Sequence, residues 1–196
     1  MSNKYLLEIG TEELPARLIE GALKQLRDNT DKMLKEERIG YESIKTYSTP
    51  RRLVLIIEGL KDEQDTLEVS IKGPAKRIAY DDQGNPTKAL QGFMRGKNIT
   101  LEDIYLEEHN GEEYIYGNIV KEGKGTKEVL SNNMAKIIKS IVFPKSMKWG
   151  GKNLRFARPI RWLVSIFNDQ IAPFNLEGIE ASNITRGHRF LGSGHI

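Results

Sequence analysis

Residues 15–40, PARLIEGALKQLRDNTDKMLKEERIG, carry one apolar stripe. Leu18, Ile19, Ala22, Leu23, Leu26, Met33 and Leu34 recur at helical spacing, and charged residues fill the rest of the surface. Pro15 suits a first helical position and Gly40 a C-terminal cap. The spacing predicts an amphipathic helix over about 15–38. A stripe of that length must be buried against a second apolar layer. The flanking runs supply one: KYLLEIG (4–10) reads as a short strand, and RRLVLIIEGL (51–60), rich in branched and apolar residues, as a buried strand.

The remaining chain alternates strand pairs with helices. TLEVSIKG (66–73) sets Leu67, Val69 and Ile71 against Glu68, Ser70 and Lys72, the period of a half-buried strand. NPTKALQGFMRG (85–96) opens on Asn-Pro, closes on Gly96 and predicts a short helix over about 86–95. In DIYLEEHNGEEYIYGNIV (103–120), Asn110-Gly111 separates two β-like runs and predicts a hairpin. A second long helix is predicted over about 127–142. Thr126 is its cap, Leu130, Met134, Ile137, Ile138 and Ile141 form its stripe, and Pro144 is its stop. RPIRWLVSIFN, QIAPFNL and NITRGHRF read as short strands. Regular βαβ alternation is absent, so the expected class is α+β with a mainly antiparallel sheet. A weak division is expected near 121–126, in KEGKGT. The last residues, GHRFLGSGHI, have strand-forming character, and the expectation is a fragment of a longer chain.

Hydrophobic residues make up 38% and charged residues 29% of the 196, which allows a packed core and excludes a disordered chain. Cysteine is absent, which excludes disulfides and thiolate metal sites. No apolar run reaches membrane-spanning length and no secretory leader is visible, so a cytoplasmic location is expected.

The net charge of +3 says less than its distribution. Residues 129–168 hold eight cations and no acid, whereas residues 99–128 hold three cations and eight acids. Within FPKSMKWGGKNLRFARPIRW (143–162), cations stand at 145, 148, 152, 155, 158 and 161. Pro144, Gly150-Gly151 and Pro159 forbid a continuous helix there, so the expectation is a loop that leads into a strand at IRWLVSIF. Such a block is the footprint of a polyanion partner, or of cations that pair with acidic segments elsewhere in the fold.

The candidate phosphate contacts are Arg51 and Arg52 in STPRRL, Lys76 and Arg77 after Gly73-Pro74, and Lys145, Lys148, Arg155 and Arg158. A structural pairing of Arg51 and Arg52 with Glu12 or Glu13 is equally open. Trp149 and Phe156 are candidates for a subunit interface, where they would expose apolar surface. Trp162, within a strand, is expected in the core. Glu12 and Glu13 read as a helix start rather than an acid–base pair. His109, His188 and His195 have no metal spacing. Neither GxxxxGK[ST] nor GxGxxG occurs, and no catalytic residue is proposed.

LLEIGTEELPA, STPRRL, KGPAKRIAYDDQGNPTKALQGFMRG, FPKSMKWG, FARPIRWLVSIF and TRGHRFLG stand in this order between residues 5 and 192. Together they resemble the N-terminal part of the beta subunit of bacterial heterotetrameric glycyl-tRNA synthetases. The resemblance implies an α2β2 enzyme that joins glycine to tRNA(Gly) with ATP and Mg. In that family the alpha subunit holds the aminoacylation site, and the beta subunit contributes tRNA recognition. It implies as partners an alpha subunit, tRNA(Gly) and a second beta subunit, with no membrane, and no cofactor bound by this stretch itself. A purely structural role at the interface with alpha is the alternative. The family's beta chain is several times longer and ends in an anticodon-binding domain.

Overall fold

A computed structural model describes residues 2–81, 83–109, 111–149 and 153–187. It is α+β, with mostly antiparallel pairing, and it divides into two compact units: residues 1–65 with 124–196, and residues 66–123. The chain leaves the first unit at 65/66 and returns at 123/124. The earlier of these crossings has no counterpart in the sequence reading.

The first unit opens with β1 (Asn3–Thr11), α1 (Ala16–Glu36), β2 (Ser43–Thr49) and β3 (Arg52–Leu60). The second unit holds β4 (Leu67–Ala75), α2 (Lys76–Ala79), α3 (Lys88–Lys97), a 3-10 turn (Leu101–Asp103), β5 (Ile104–His109) and β6 (Glu112–Lys121). The first unit resumes with α4 (Thr126–Lys139), β7 (Met147–Lys148), β8 (Arg155–Phe156), β9 (Ile160–Phe167), β10 (Gln170–Ile171), β11 (Asn175–Leu176) and β12 (Ile179–Ser182). None of the described helices is long and apolar enough to cross a membrane.

In the first unit the sheet runs β11-β12-β9-β1-β3-β2, and β10 also pairs with β9. The strand nearest the N-terminus is therefore central: β1 pairs antiparallel with β3 on one edge and β9 on the other. Tyr5, Leu7 and Ile9 alternate onto one face, beside Leu53, Leu55 and Ile57 of β3 and Leu163 of β9, and all are buried. Leu26 and Leu34 of α1 and Leu130, Met134 and Ile138 of α4 join the same cluster. The Tyr5 hydroxyl reaches Ser165 Oγ at 2.8 Å inside this layer, and burial pushes the phenol pKa well above its usual range.

Helix α1 lies within its predicted span, whereas α4 starts one residue before its own: Thr126, expected as the cap, is the first helical residue after Gly125, and the helix ends at Lys139, well before Pro144. Gly40 does not cap α1. Arg38 takes the left-handed conformation (φ 53°), and the N–H groups of Arg38 and Ile39 donate to the carbonyls of Lys35 and Leu34. This is a Schellman-type stop, sealed by the buried pair Ile39 and Leu34. Helix α3 starts two residues later than expected, after Thr87, and ends on the left-handed Asn98 rather than Gly96. The 143–162 stretch is not a bare loop. Its β7 and β8 form a two-stranded antiparallel ladder before β9. Of the predicted strand NITRGHRF, residues 183–187 belong to no named strand and 188–190 lie outside the described residues.

In the second unit the sheet order is β4-β6-β5, with Ala79, Leu90 and Ile115 as its buried cluster. Gly111 adopts φ +82°, the conformation a tight hairpin turn requires at that position. Within 143–162 of the first unit, Phe143 meets Phe156 edge-on at 4.7 Å and 71°, and Phe156 is fully buried. Phe156→Ala is expected to cost about 3–5 kcal/mol in a urea unfolding titration. A loss below 1 kcal/mol would mean that this ring does not anchor the segment.

Two exposed turns of the second unit rest on carboxylates. Asp81 accepts from the N–H of Asn85 at 2.7 Å and of Gln83 at 3.0 Å. Asp103 accepts from the N–H of Thr100 at 2.7 Å and from its hydroxyl at 2.8 Å. These backbone donors, first Asn85 and first Thr100 respectively, hold both carboxyls below the usual aspartate range. A depressed folded-state pKa adds stability above the unfolded value, which is lost as pH falls through the folded value. The second unit should therefore lose stability below about pH 4, and Asp81→Asn with Asp103→Asn should flatten that slope in unfolding titrations at stepped pH.

Candidate nucleic-acid interface

The 143–162 stretch is held by its apolar residues. Phe143, Leu154, Phe156, Ala157 and Ile160 are buried in the main core. Gln25 of α1 grips the backbone of Val142 at two points: its amide donates to the carbonyl at 2.9 Å, and its oxygen accepts the N–H at 2.9 Å. Asn29 donates to Ser140 Oγ at 2.8 Å. The segment thus leaves α4 on a fixed path, with Val142 71% and Met147 42% exposed.

Strand alternation then decides which side chains reach solvent. Phe156 points inward, so Arg155 points outward. The ladder register sets Met147 opposite Phe156 and Lys148 opposite Arg155. Two cations directly across an antiparallel pair repel, at a cost comparable to the ~0.2–1 kcal/mol that an opposite pair contributes. Lys145, Lys148 and Arg155 are exposed, and among the described residues none has a carboxylate within 4 Å. Arg158 is half-buried and donates to the carbonyl of Ala157 at 3.1 Å. It lines an open cleft of about 600 Å³ with Glu12 and Glu13, and among the described residues it has no ion pair. Arg161 is paired with Glu12 at 3.4 Å. Lys152 lies outside the described residues.

Arg51 and Arg52 have a different environment. Arg51 pairs with Glu12 at 3.4 Å and is about two-thirds buried. Arg52 pairs with Glu8 at 3.4 Å and donates to the carbonyl of Arg186 at 2.6 Å. Its guanidinium carbon stands 5.7 Å from the centre of the Trp162 ring, and that of Arg186 stands 5.3 Å from it. Glu8, 7% exposed, also accepts from Trp162 Nε1 at 2.6 Å and from the Thr185 hydroxyl at 2.5 Å. Arg52 is thus committed inside the chain, to a buried carboxylate, a carbonyl and an indole. Arg51 has the pairing with Glu12 that the sequence left open, and Arg52 does not. The key acid for Arg52 is Glu8, which sequence reading passed over inside an apolar strand. Its one visible signal was a lone acid in KYLLEIG.

Lys76 and Arg77 pair with Glu113 and Glu112 at 2.7 and 2.8 Å. Both pairs are well exposed, so each contributes little stability and leaves its cation open to a competing anion. Phe156 has no exposed surface to offer a partner, because inward alternation in β8 gives it to the core. Trp149 is half-buried and packs against the same core. Trp162 is buried, as expected for a strand residue, but on the sheet face opposite Tyr5 and Leu7. Exposed His109 ends β5. His188 and His195 lie outside the described residues. Among the described residues no group of three His, Asp and Glu is placed to hold a metal ion.

The comparisons with known proteins agree on one family. The family model described as glycyl-tRNA synthetase beta subunit matches residues 5–196. The glycine–tRNA ligase beta subunit of Clostridioides difficile is 52% identical over all 196 residues. That of Natranaerobius thermophilus is 48% identical over 196 residues, and that of Limosilactobacillus reuteri 50% over 192. In each case the chain spans 28% of the relative's length. A match over nearly the whole chain, at about half identity, places it plainly: the chain belongs to the glycyl-tRNA synthetase beta subunit family.

Proposed function

We propose that this chain works within a glycine–tRNA ligase, in the cytoplasm, where the β7–β8 ladder takes phosphates of the tRNA backbone. The observation that carries the proposal is the exposed trio Lys145, Lys148 and Arg155, with two of its cations in direct register and, among the described residues, no acid paired with them. A phosphodiester chain supplies the missing counter-charge. Its binding releases condensed counterions, so affinity becomes steeply salt-dependent. A-form RNA is recognised largely through its backbone and shape, which suits a rigid short ladder anchored by Phe143 and Phe156. Arg158, Lys76 and Arg77 are secondary contacts. Glycine, ATP and Mg are handled by the alpha subunit in this reading, and this region positions RNA within an α2β2 assembly without touching the reacting atoms.

A second reading gives the same surface to the alpha subunit. The exposure of Val142 and Met147 on the gripped segment favours it, because apolar side chains held on a rigid path suit a protein partner.

The test is the complete ligase carrying Lys145→Ala, Lys148→Ala, Arg155→Ala and Arg158→Ala. The expected result is weaker tRNA binding and a log–log salt slope shallower by roughly 0.7–0.9 for each phosphate contact removed. Subunit assembly by sizing should be unchanged. Unaltered affinity and slope would reject RNA contact by this ladder. Dissociation of the subunits with RNA affinity retained would transfer the surface to the second reading.

A further inference from the structure

The 66–123 unit presents a surface of different chemistry. Residue alternation in β4, β6 and β5 sends Ile115 and Gly117 toward its core and Tyr114 and Tyr116 to the opposite face. Tyr105 of β5 stands in register with Tyr116, and the two rings stack at 5.8 Å and 25°. The Tyr105 hydroxyl is fixed by Ser70 Oγ at 2.5 Å, yet 39% of the residue remains exposed. The ammonium of Lys72 sits 3.4 Å from the centre of the Tyr114 ring. An open sheet face normally turns charged and small polar side chains to water. This one turns three tyrosines, and two of them are locked together.

Charge decides what such a face accepts. Between residues 66 and 123 there are seven cations and ten acids. On the face itself, Glu68 and Glu107 have no ion-pair partner within 4 Å among the described residues. Lys72 of this face is engaged over Tyr114, and Arg77, although open to exchange, has its charge balanced by Glu112. A phosphate chain approaching here would meet uncompensated carboxylates. A guanidinium or ammonium would meet tyrosine π-faces, one of which already carries a cation, flanked by carboxylates that lack a partner. Pre-stacked rings also have little rotamer freedom to lose on binding.

We infer that this tyrosine–carboxylate face docks a basic segment of a partner polypeptide within the ligase assembly. The inference is independent of the phosphate contacts proposed for the β7–β8 ladder, since the two surfaces use different residues and opposite charge.

The experiment is oxidative footprinting of Tyr105 and Tyr116, read by mass spectrometry. Three samples are compared: the full-length beta subunit alone, beta with its alpha subunit, and the same complex with tRNA. The expected result is ready labelling in the lone subunit, a severalfold fall on adding alpha, and no further fall with tRNA. Glu68→Gln with Glu107→Gln, changes at exposed positions outside the core, should restore labelling in the complex while circular dichroism stays unchanged. Protection that arises only with tRNA would overturn the inference in favour of RNA. Protection already present in the lone subunit would assign the face to beta itself. Equal labelling in all three samples would leave it a solvated sheet face. Each of these three results overturns the proposal, and none bears on the salt slope that tests the ladder.

Discussion

The first unit depends on the contact between Gly10 and Trp162. Strand β1 lies between β3 and β9, so its register with β9 ties residues near the N-terminus to residues some 150 positions later. Gly10 stands opposite Trp162, and a β-carbon at position 10 would fall 2.0 Å from the indole ring. Only glycine admits the ring flat against the strand. The indole N–H then reaches the Glu8 carboxylate, two residues back on the same face. That carboxylate gathers Arg52 from β3 and Thr185 from beyond β12. A buried acid with these donors is costly to leave unpaired, so the arrangement specifies one register and excludes neighbouring ones.

Consequences for the cationic surface follow from that register. Ile160 begins β9, so the chain between α4 and β9 has fixed ends, and Phe143 with Phe156 pins its middle. Acids of the first strand and its following turn neutralise Arg51, Arg52 and Arg161. Among the described residues they leave Lys145, Lys148 and Arg155 without such partners. Two acids at the start of β6, Glu113 and Glu112, serve Lys76 and Arg77 instead. Charge is thus sorted by the fold into cations paired with the chain's own acids and cations left exposed without such a pair among the described residues, a distinction the linear sequence does not contain.

The long helices, the central strands and the Asn-Gly hairpin were legible because each is specified locally, by a 3.6-residue stripe, an apolar run or a turn dipeptide. Strand β2, SIKTYST, was not. It is the edge strand of its sheet and largely exposed, so it lacks the alternation that marks a half-buried strand. Arg38 as the left-handed residue of α1 was hidden behind the more obvious Gly40. Among the candidate contacts, the basic block of 143–162 was plain. Its sorting was not, because Glu12 and Arg161 meet across 149 positions and Glu8 and Arg52 across 44. Phe156 was misread as interface because its cationic neighbours mask the period-2 pattern that buries it.

The central claim is that the opposed cations of β7 and β8 are retained for a polyanion at the expense of the chain's own stability. A single variant, Lys148→Glu, examined for both properties, tests it most directly. Opposite charges in register with Arg155 should raise unfolding stability by about 0.2–1 kcal/mol, while tRNA affinity of the assembled ligase falls and its salt slope becomes shallower. Lower stability together with unchanged tRNA binding would contradict the account.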